Sequence, residues 1–435
     1  MVLYQVRMCH IISVGRVSNR PLRQRRGAIV VLLALLLIVL FAFTAFCIDI
    51  GWMTVTKSQL QNAADSAASA GARQLVDNYG AYSLPTQKNR QKLIDSAKQT
   101  ANTYSTTYGT YNGAGDIKSL KLQATDIQIG FTDAAGKFNA AYPGYPNTVQ
   151  VVARRDSSAN RRLPLFFAPA FGRRDAALTA TASATIYSGL ISSFDPKGGG
   201  EGYGKDFNGG GDGAWGEDYE SSGEGFNNLL LPVAFDVNDW MNFVATGVSP
   251  GGVMAADANG SPQIHIYPSP QQAPGNFGLL CIGPWTNSTP SYREWILNGP
   301  SASDVQSLLD AGSCPVSQAS PRPWKGSPGL RTTLRTEFAA IIGQPRLLPL
   351  FKPASTKPYQ AASGAGSNAT YNIVGFAGVM VTKVTGAGNN MDISVQPCGV
   401  VDPTAVFDPS TMYPVGAEPA WQWKTFTYVA PKLTQ

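Results

Sequence analysis

Side chains that could carry acid–base or nucleophilic chemistry are scarce in this sequence. It contains two histidines in 435 residues, and His265 is the one that lies beyond the N-terminal segment. A serine or cysteine nucleophile normally needs a base held against it. His265, however, stands in an alternating segment typical of a β-strand. The sequence therefore predicts a structural histidine and no enzyme activity.

Metal and cofactor motifs are also missing. The sequence contains no H-E-x-x-H, no C-x-x-C, no Walker loop and no G-x-G-x-x-G after a strand. The acidic pair Glu217 and Asp218 lies in a glycine-rich segment, which would not hold two carboxylates at a fixed separation. Asp402 and Asp408 follow the last predicted strand, and nothing around them assigns them a role. We predict no cofactor and no metal site.

Composition is typical of an exported, β-rich protein. Charged residues make up 14% of the chain, against about 25% in an average soluble protein, and its 45 glycines and 30 prolines indicate many turns. Because 43% of the residues are hydrophobic, the chain can fill cores, and disorder throughout is excluded. Its length suits two or three domains.

The positive charge is concentrated at the N-terminus. Six arginines and no acid occur within residues 1–27, the next charged residue is Asp49, and the remainder is close to neutral. A nucleic-acid partner is therefore not predicted. Ala28–Ile48 is uncharged over 21 residues, and a helix of that length spans about 32 Å. Since the bilayer core is about 30 Å thick, the lipid bilayer is the predicted partner of this segment.

The span is predicted to be a retained anchor. The apolar region of a cleaved signal peptide usually has only about 7–15 residues, and no A-x-A site closes this one. The positive-inside rule places residues 1–27 in the cytoplasm and the chain after Gly51 outside it. A single-pass topology follows.

Three cysteines come after the span, at Cys281, Cys314 and Cys398. Outside the cytoplasm they would lie in an oxidising compartment, where disulfides persist. Three cysteines allow one bridge. We predict Cys281–Cys314, the pair closest in sequence, with Cys281–Cys398 as the alternative.

A helix with a stripe of small residues is predicted directly after the span. Thr54–Asn78 contains no proline, and one face carries apolar residues at 3-4-4-4 spacing, namely Leu60, Ala64, Ala67, Gly71 and Leu75. Small residues let another backbone approach closely. The stripe therefore packs on its own domain or forms an assembly interface with a partner helix or second copy. Asp49 either pairs with a basic residue of a partner or is solvated among lipid headgroups.

These features together resemble a known family. Arg25-Arg26-Gly27-Ala28, the apolar run, Ile48-Asp49-Ile50-Gly51 and the segment LQNAADSAASAGA at 60–72 look like the N-terminal module of TadG-like proteins. These belong to the Tad (tight adherence) machinery that assembles Flp pili in bacteria. The resemblance covers about residues 25–72. It implies a protein of the bacterial inner (cytoplasmic) membrane that associates with other pilus or secretion components, or with itself, through the Ala/Gly helix.

Two motifs of related proteins are absent. Pilins and pseudopilins carry a Glu five residues after the cleaved glycine, where this chain has Leu32, so a standard pilus subunit is not implied. Many TadG-like proteins contain a von Willebrand A domain with a D-x-S-x-S metal motif. The nearest match, Asp392–Gln396, ends in Gln and alternates like an ordinary strand. We predict that it is structural.

The remaining pattern predicts an α+β fold. A second helix over Pro85–Tyr108 is followed by period-two segments at Leu120–Ile129, Thr148–Arg154 and Ala177–Tyr187, an outline similar to a pilin helix and antiparallel sheet. In the last half, strands are predicted at Gln263–Tyr267, Phe277–Ile282, Tyr371–Lys383 and Met391–Pro397, and helices at Asp236–Phe243, Ser303–Ala311 and Leu330–Ile342. The predicted organisation is a basic cytoplasmic tail (1–27), a transmembrane anchor (28–48), a Tad-like helix plus β domain (49–190), a Gly-rich acidic linker (191–226) and a second exported α+β domain (227–435).

Two functions fit this organisation. The first is a non-enzymatic, membrane-anchored component of Tad/Flp-type pilus assembly or secretion. The alternative is a membrane-tethered surface binding module or hydrolase that uses a Tad-like anchor. A gene neighbourhood with a secretion ATPase, a prepilin peptidase and a secretin would favour the first, and turnover of a glycan or peptide would favour the second.

Overall fold

The computed structural model describes residues 26–197, 228–249, 255–256, 262–267, 277–284, 288–328, 331–353, 369–386, 391–420 and 422–434. The predicted cytoplasmic tail up to residue 25 and the predicted linker from residue 198 onward lie outside the described residues. The chain forms two compact units: residues 1–52 with 164–175, and residues 53–163 with 176–435. Each is described by itself.

The fold class is α+β, as predicted, with a long apolar helix at the N-terminus. The helices are α1 (Arg26–Gln74), α2 (Val76–Ser83), α3 (Arg90–Thr110), α4 (Val237–Thr246), α5 (Thr289–Asn298), α6 (Ala302–Asp310) and α7 (Arg335–Ala340). The strands are β1 (Ile127–Thr132), β2 (Phe138–Asn139), β3 (Thr148–Arg155), β4 (Leu163–Pro164), β5 (Asp175–Ala176), β6 (Leu178–Thr185), β7 (Tyr187–Ser188), β8 (Ile191–Phe194), β9 (Val233–Asp236), β10 (Ala255–Ala256), β11 (Pro262–Tyr267), β12 (Phe277–Leu280), β13 (Arg322–Pro328), β14 (Pro345–Lys352), β15 (Ala369–Thr385), β16 (Asp392–Pro397), β17 (Ala405–Phe407), β18 (Tyr413–Pro414) and β19 (Lys432–Thr434). The likeness to pilins and the domain boundaries stay predictions.

In the first unit, α1 is an apolar helix without a protein core around it. Its large side chains from Ile29 to Ile50 are mostly exposed. Among the described residues, this is the one helix long and apolar enough to cross a membrane. Such a surface is unfavourable in water, because burying apolar area stabilises by roughly 25 cal/mol per Å². A bilayer removes that penalty without any protein contact.

In the second unit, the C-terminal part of α1 packs against α3 through small residues. The stripe residues of α1 are buried, and α3 presents its own small residues at matching spacing, at Ala97, Ala101, Ser105 and Gly109. A Cβ added to Gly71 would lie 3.0 Å from the backbone oxygen of Ala101, and one added to Gly109 would lie 3.8 Å from the Cβ of Ala67. The two helix backbones therefore approach more closely than larger side chains would allow.

A five-stranded sheet contacts these helices and has the order β19-β6-β3-β1-β2. Residues of β3 alternate between buried and half-buried positions, which is the period-two pattern of a sheet with one covered face. Gln61 of α1 donates from Nε2 to the carbonyl of Thr181 in β6 at 3.1 Å. The strand β19 comes from the C-terminal end of the chain and pairs antiparallel with β6.

The second large sheet is built around the 17-residue strand β15. One edge of β15 pairs with β13 and then with β16, and its other edge pairs with β14. The strand β14 also pairs with β9, β9 pairs with β12, and β12 pairs with β13. The pairings of β15, β13, β12, β9 and β14 therefore close into a ring. The large side chains of Trp324, Phe351, Tyr371 and Phe376 are fully buried here.

The predicted strand over Leu120–Ile129 is wrong in its first half. The strand begins only at Ile127, and Ala124–Asp126 form a short 3-10 helix. The Asp126 carboxylate accepts a hydrogen bond from the backbone N–H of Gln123 at 2.8 Å and lies 2.8 Å from Nε of Arg154. A local side-chain bond of this kind competes with strand pairing, and the alternation of residue types does not reveal it.

Replacing Gly71 with leucine is expected to destabilise the second unit. A larger side chain would separate α1 from α3, and overpacking of a close contact costs about 1–3 kcal/mol. Thermal unfolding of the detergent-solubilised full chain should shift to lower temperature. Gly51→Leu is the matched control, because a Cβ at Gly51 meets nothing within 4 Å. Equal unfolding temperatures for the two variants would contradict the close packing.

Candidate functional site

His265 lies in a cluster that superficially resembles a catalytic triad. Its Nδ1 is 2.8 Å from Oδ1 of Asp392 and 3.4 Å from Oγ of Ser394, on the neighbouring strand β16. In a relay the carboxylate and the hydroxyl occupy opposite ring nitrogens, whereas here both contact the same nitrogen. The side chain links β11 to β16, as expected of a structural histidine. Asp392 is the first residue of β16, and the strand predicted over Met391–Pro397 is present.

The two carboxylates after this strand organise backbone turns. Asp402 is buried and accepts hydrogen bonds from the N–H of Leu229 and from the N–H and hydroxyl of Thr404, at 2.7–2.8 Å. Burial raises its pKa despite these bonds. Asp408 accepts from the N–H of Ser410 and caps a 3-10 turn. Within the described ranges, no group of three or more His, Cys, Asp or Glu side chains is placed to hold a metal ion.

One bridge was predicted among Cys281, Cys314 and Cys398, and in the structure these three cysteines are not joined by a disulfide. Burial raises the pKa of the Cys281 thiol, that of Cys314 to about 12 and that of Cys398 to about 11. A thiol with a raised pKa stays protonated near neutral pH and is a poor nucleophile. The predicted pairing of Cys281 with Cys314 or Cys398 stays a prediction.

The predicted assembly stripe lies in the interior of its own chain. Leu60, Ala64, Ala67 and Leu75 are at most 1% exposed, and Gly71 faces Ser105 and Ala101 of α3. This is the intrachain alternative that the sequence left open. A partner helix at these residues would have to displace α3, and that role stays a prediction.

Asp49 makes the most concentrated set of polar contacts in the first unit. Its side chain is 4% exposed, although it follows the apolar run directly. Oδ1 accepts the N–H of Phe166 at 2.8 Å, and Oδ2 accepts the N–H groups of Phe167 at 3.1 Å and Ala168 at 2.6 Å. The partners that the structure shows for Asp49 are backbone N–H groups of its own chain, and its pairing with a basic partner residue or its solvation among lipid headgroups stays a prediction.

The three amides lead into a short 3-10 helix over Ala168–Phe171, in which Ala168 is the first residue and Phe167 the N-cap. The first N–H groups of a helix lack acceptors within it, and they carry a partial positive charge that favours an anion. Asp49 supplies that anion from another segment, 117–119 residues earlier in the sequence. Trp52 adds a ring contact with Phe166, with centroids 5.7 Å apart. We call residues 164–175, which Asp49 holds in this way, the Asp49-bound loop.

Sequence reasoning identified Asp49 but missed its partner. From the sequence alone, residues 164–171 (PLFFAPAF) are only a short apolar stretch between predicted strands. The sequence signal of this loop is its high density of aromatic and proline residues, in a position where a turn would normally be polar. No rule of spacing connects such a stretch with a carboxylate more than a hundred residues away.

Replacing Asp49 with alanine is expected to release the loop. Three N–H groups would lose their acceptor, and each unsatisfied buried group costs about 1–3 kcal/mol. Since about 1.4 kcal/mol corresponds to a factor of ten, amide hydrogen exchange at Phe166–Ala168 of the full chain should accelerate tenfold or more.

The control for this experiment is Asp77→Ala. Asp77 forms an exposed pair with Arg73 at 3.3 Å, and such pairs contribute little. Exchange at Phe166–Ala168 should match wild type in this variant. Unchanged exchange in Asp49→Ala would contradict the anchoring role.

Comparison with known proteins gives a result for the N-terminal segment of the chain. No curated protein and no solved structure matches the chain. Residues 27–74 match a family model described as putative Flp pilus-assembly TadE/G-like. The predicted N-terminal module is thereby confirmed: the membrane-length helix, Asp49 and the small-residue stripe lie in a segment similar to TadE/G-like pilus-assembly proteins.

Proposed function

We propose that this protein is a non-enzymatic component of Tad/Flp-type pilus assembly or secretion, anchored in the bacterial inner membrane by α1. The observation that carries the proposal is the family match over residues 27–74, which coincides with the membrane-length helix. In this role the chain associates with other components of the pilus machinery. The contacts of α1 with α3 support a partner surface other than the buried stripe.

The absence of enzyme activity is part of the proposal. It is supported by His265, whose Nδ1 is shared by Asp392 and Ser394, and by Asp402, whose oxygens are occupied by backbone and hydroxyl donors. The raised thiol pKa values point in the same direction, since the thiolate is the reactive form. None of these groups combines a free nucleophile with a base.

Deletion of the gene in the bacterium that encodes it is expected to abolish Flp pili, and the wild-type full chain should restore them. The measurement is electron microscopy of the cell surface, with immunoblotting to confirm equal levels of the pilin. Normal pili in the deletion strain would contradict the proposal. Turnover of a glycan or peptide by the purified full chain would instead favour the membrane-tethered hydrolase.

The proposed topology has residues 1–27 in the cytoplasm and the chain after Gly51 outside it. Six arginines on one side of an uncharged span motivate this orientation. A reporter that is active only outside the cytoplasm, fused after Gln435, should be active, and the mature protein should begin before Ala28. A mature N-terminus between Ala28 and Gly51 would refute the retained anchor.

A further inference from the structure

The Asp49-bound loop exposes three large aromatic rings. The side chains of Phe166, Phe167 and Phe171 are 62%, 44% and 77% exposed. Contiguous exposed apolar side chains of this size mark a surface that contacts something other than water. Nothing in the loop itself covers them.

This exposure is built into the backbone of the loop. The N–H of Leu165 donates to the carbonyl of Arg174 at 3.1 Å, and the N–H of Arg173 donates to that of Ala168 at 3.1 Å. Gly172 closes the 3-10 turn with φ of +85°, a conformation that glycine adopts without strain. The rings are therefore presented by a turn whose backbone is held by its own hydrogen bonds.

Asp49 sets the depth of the loop relative to the span. It follows directly after the 21 uncharged residues Ala28–Ile48, whose helical length of about 32 Å matches the hydrocarbon core. When α1 crosses the bilayer, Asp49 lies at the end of that core. The amides of Phe166–Ala168, bonded to its carboxylate, lie at the same level, where aromatic side chains concentrate in membrane proteins.

The charge of the loop complements a lipid surface. Arg173 and Arg174 are exposed next to the rings. Arginine binds phosphate oxygens in a bidentate manner, and basic side chains near a membrane are attracted to anionic headgroups. Rings that enter the interface and guanidinium groups that remain at the phosphates are the two parts of a membrane-contacting segment.

We propose that the Asp49-bound loop is a second membrane contact of this protein, in which Phe166, Phe167 and Phe171 enter the outer interface of the bilayer and Arg173 and Arg174 bind anionic lipid phosphates. The proposal goes beyond the proposed function and rests only on α1 crossing the membrane. The loop and the helix then hold the bilayer at two adjacent points, and this fixes the rotation of α1 about its own axis.

Photocrosslinking of the full chain in nanodiscs tests the occupant of this surface. Benzoylphenylalanine in place of Phe171 should yield adducts with phosphatidylglycerol, identified by mass spectrometry. The same group in place of Phe41, an exposed ring of the span, is the positive control. In place of Tyr111, which is 73% exposed on the second unit, it is the matched control and should yield few lipid adducts.

The outcomes separate the two proposals. Lipid adducts at Phe41 without lipid adducts at Phe171 would overturn the loop contact and leave the anchor intact, whereas none at either position would contradict the anchor itself. Protein adducts at Phe171 in native membranes, from a second copy or another component, would also overturn the lipid contact. So would lipid labelling at Tyr111 as strong as that at Phe171.

A comparison of anionic with neutral lipid tests the role of Arg173 and Arg174. In nanodiscs containing phosphatidylglycerol, Arg173→Gln and Arg174→Gln should each lower the lipid adduct yield at position 171 by up to about fivefold, which corresponds to the ~1 kcal/mol expected for a basic residue near an anionic surface. In neutral phosphatidylcholine the variants and wild type should give equal yields. If the variants and wild type give equal yields in both lipids, the attraction of Arg173 and Arg174 to anionic headgroups is refuted.

Discussion

The structure depends on one close contact between two helix backbones. Gly71 of α1 leaves room for the backbone and Ser105 of α3, and the same helix reaches β6 through Gln61 and accepts the hydroxyl of Tyr145 at the carbonyl of Leu75, at 2.7 Å. The helix α1 is continuous from Arg26 to Gln74, and its residues after Trp52 are those that organise the second unit. Larger side chains on the stripe would increase the helix separation, and these contacts with the sheet would be lost together.

The second important interaction of α1 is made by the carboxylate of Asp49. A carboxylate at the end of an apolar span is costly when it is desolvated and unpaired, and three backbone N–H groups meet that cost here. These hydrogen bonds also stabilise the loop, because without Asp49 the amides that lead into the 3-10 turn at Ala168–Phe171 would have no acceptor. The acid of the Asp-x-Gly motif thus has backbone partners in a loop of its own chain.

Some features were predictable because the signal is local. The uncharged run of α1, the family segment at 27–74 and the strands β3, β11 and β16 follow from composition and alternation. Features that depend on a distant partner were not: the stripe indicated a close neighbour without showing that this neighbour is α3. Arg155 directly follows the strand predicted over Thr148–Arg154, yet it is fully buried and pairs with Asp116 at 2.6 Å while donating to the carbonyl of Ala114. Periodicity identifies the buried face of an element, but the burial partner depends on topology.

Strand pairing links the two ends of the second unit. The strands β6, β7 and β8 precede residue 198, and they pair with β19, β18 and β17 from the last 31 residues of the chain. Gly80 of α2 and Gly399 add close approaches, to the backbone of Pro397 and to Val76. Pairing of this kind makes the segments cooperative, because removal of either set of strands leaves unpaired N–H and C=O groups on its partner. A role that resides in the C-terminal half is therefore exerted by a body whose folding includes residues 53–74 of α1.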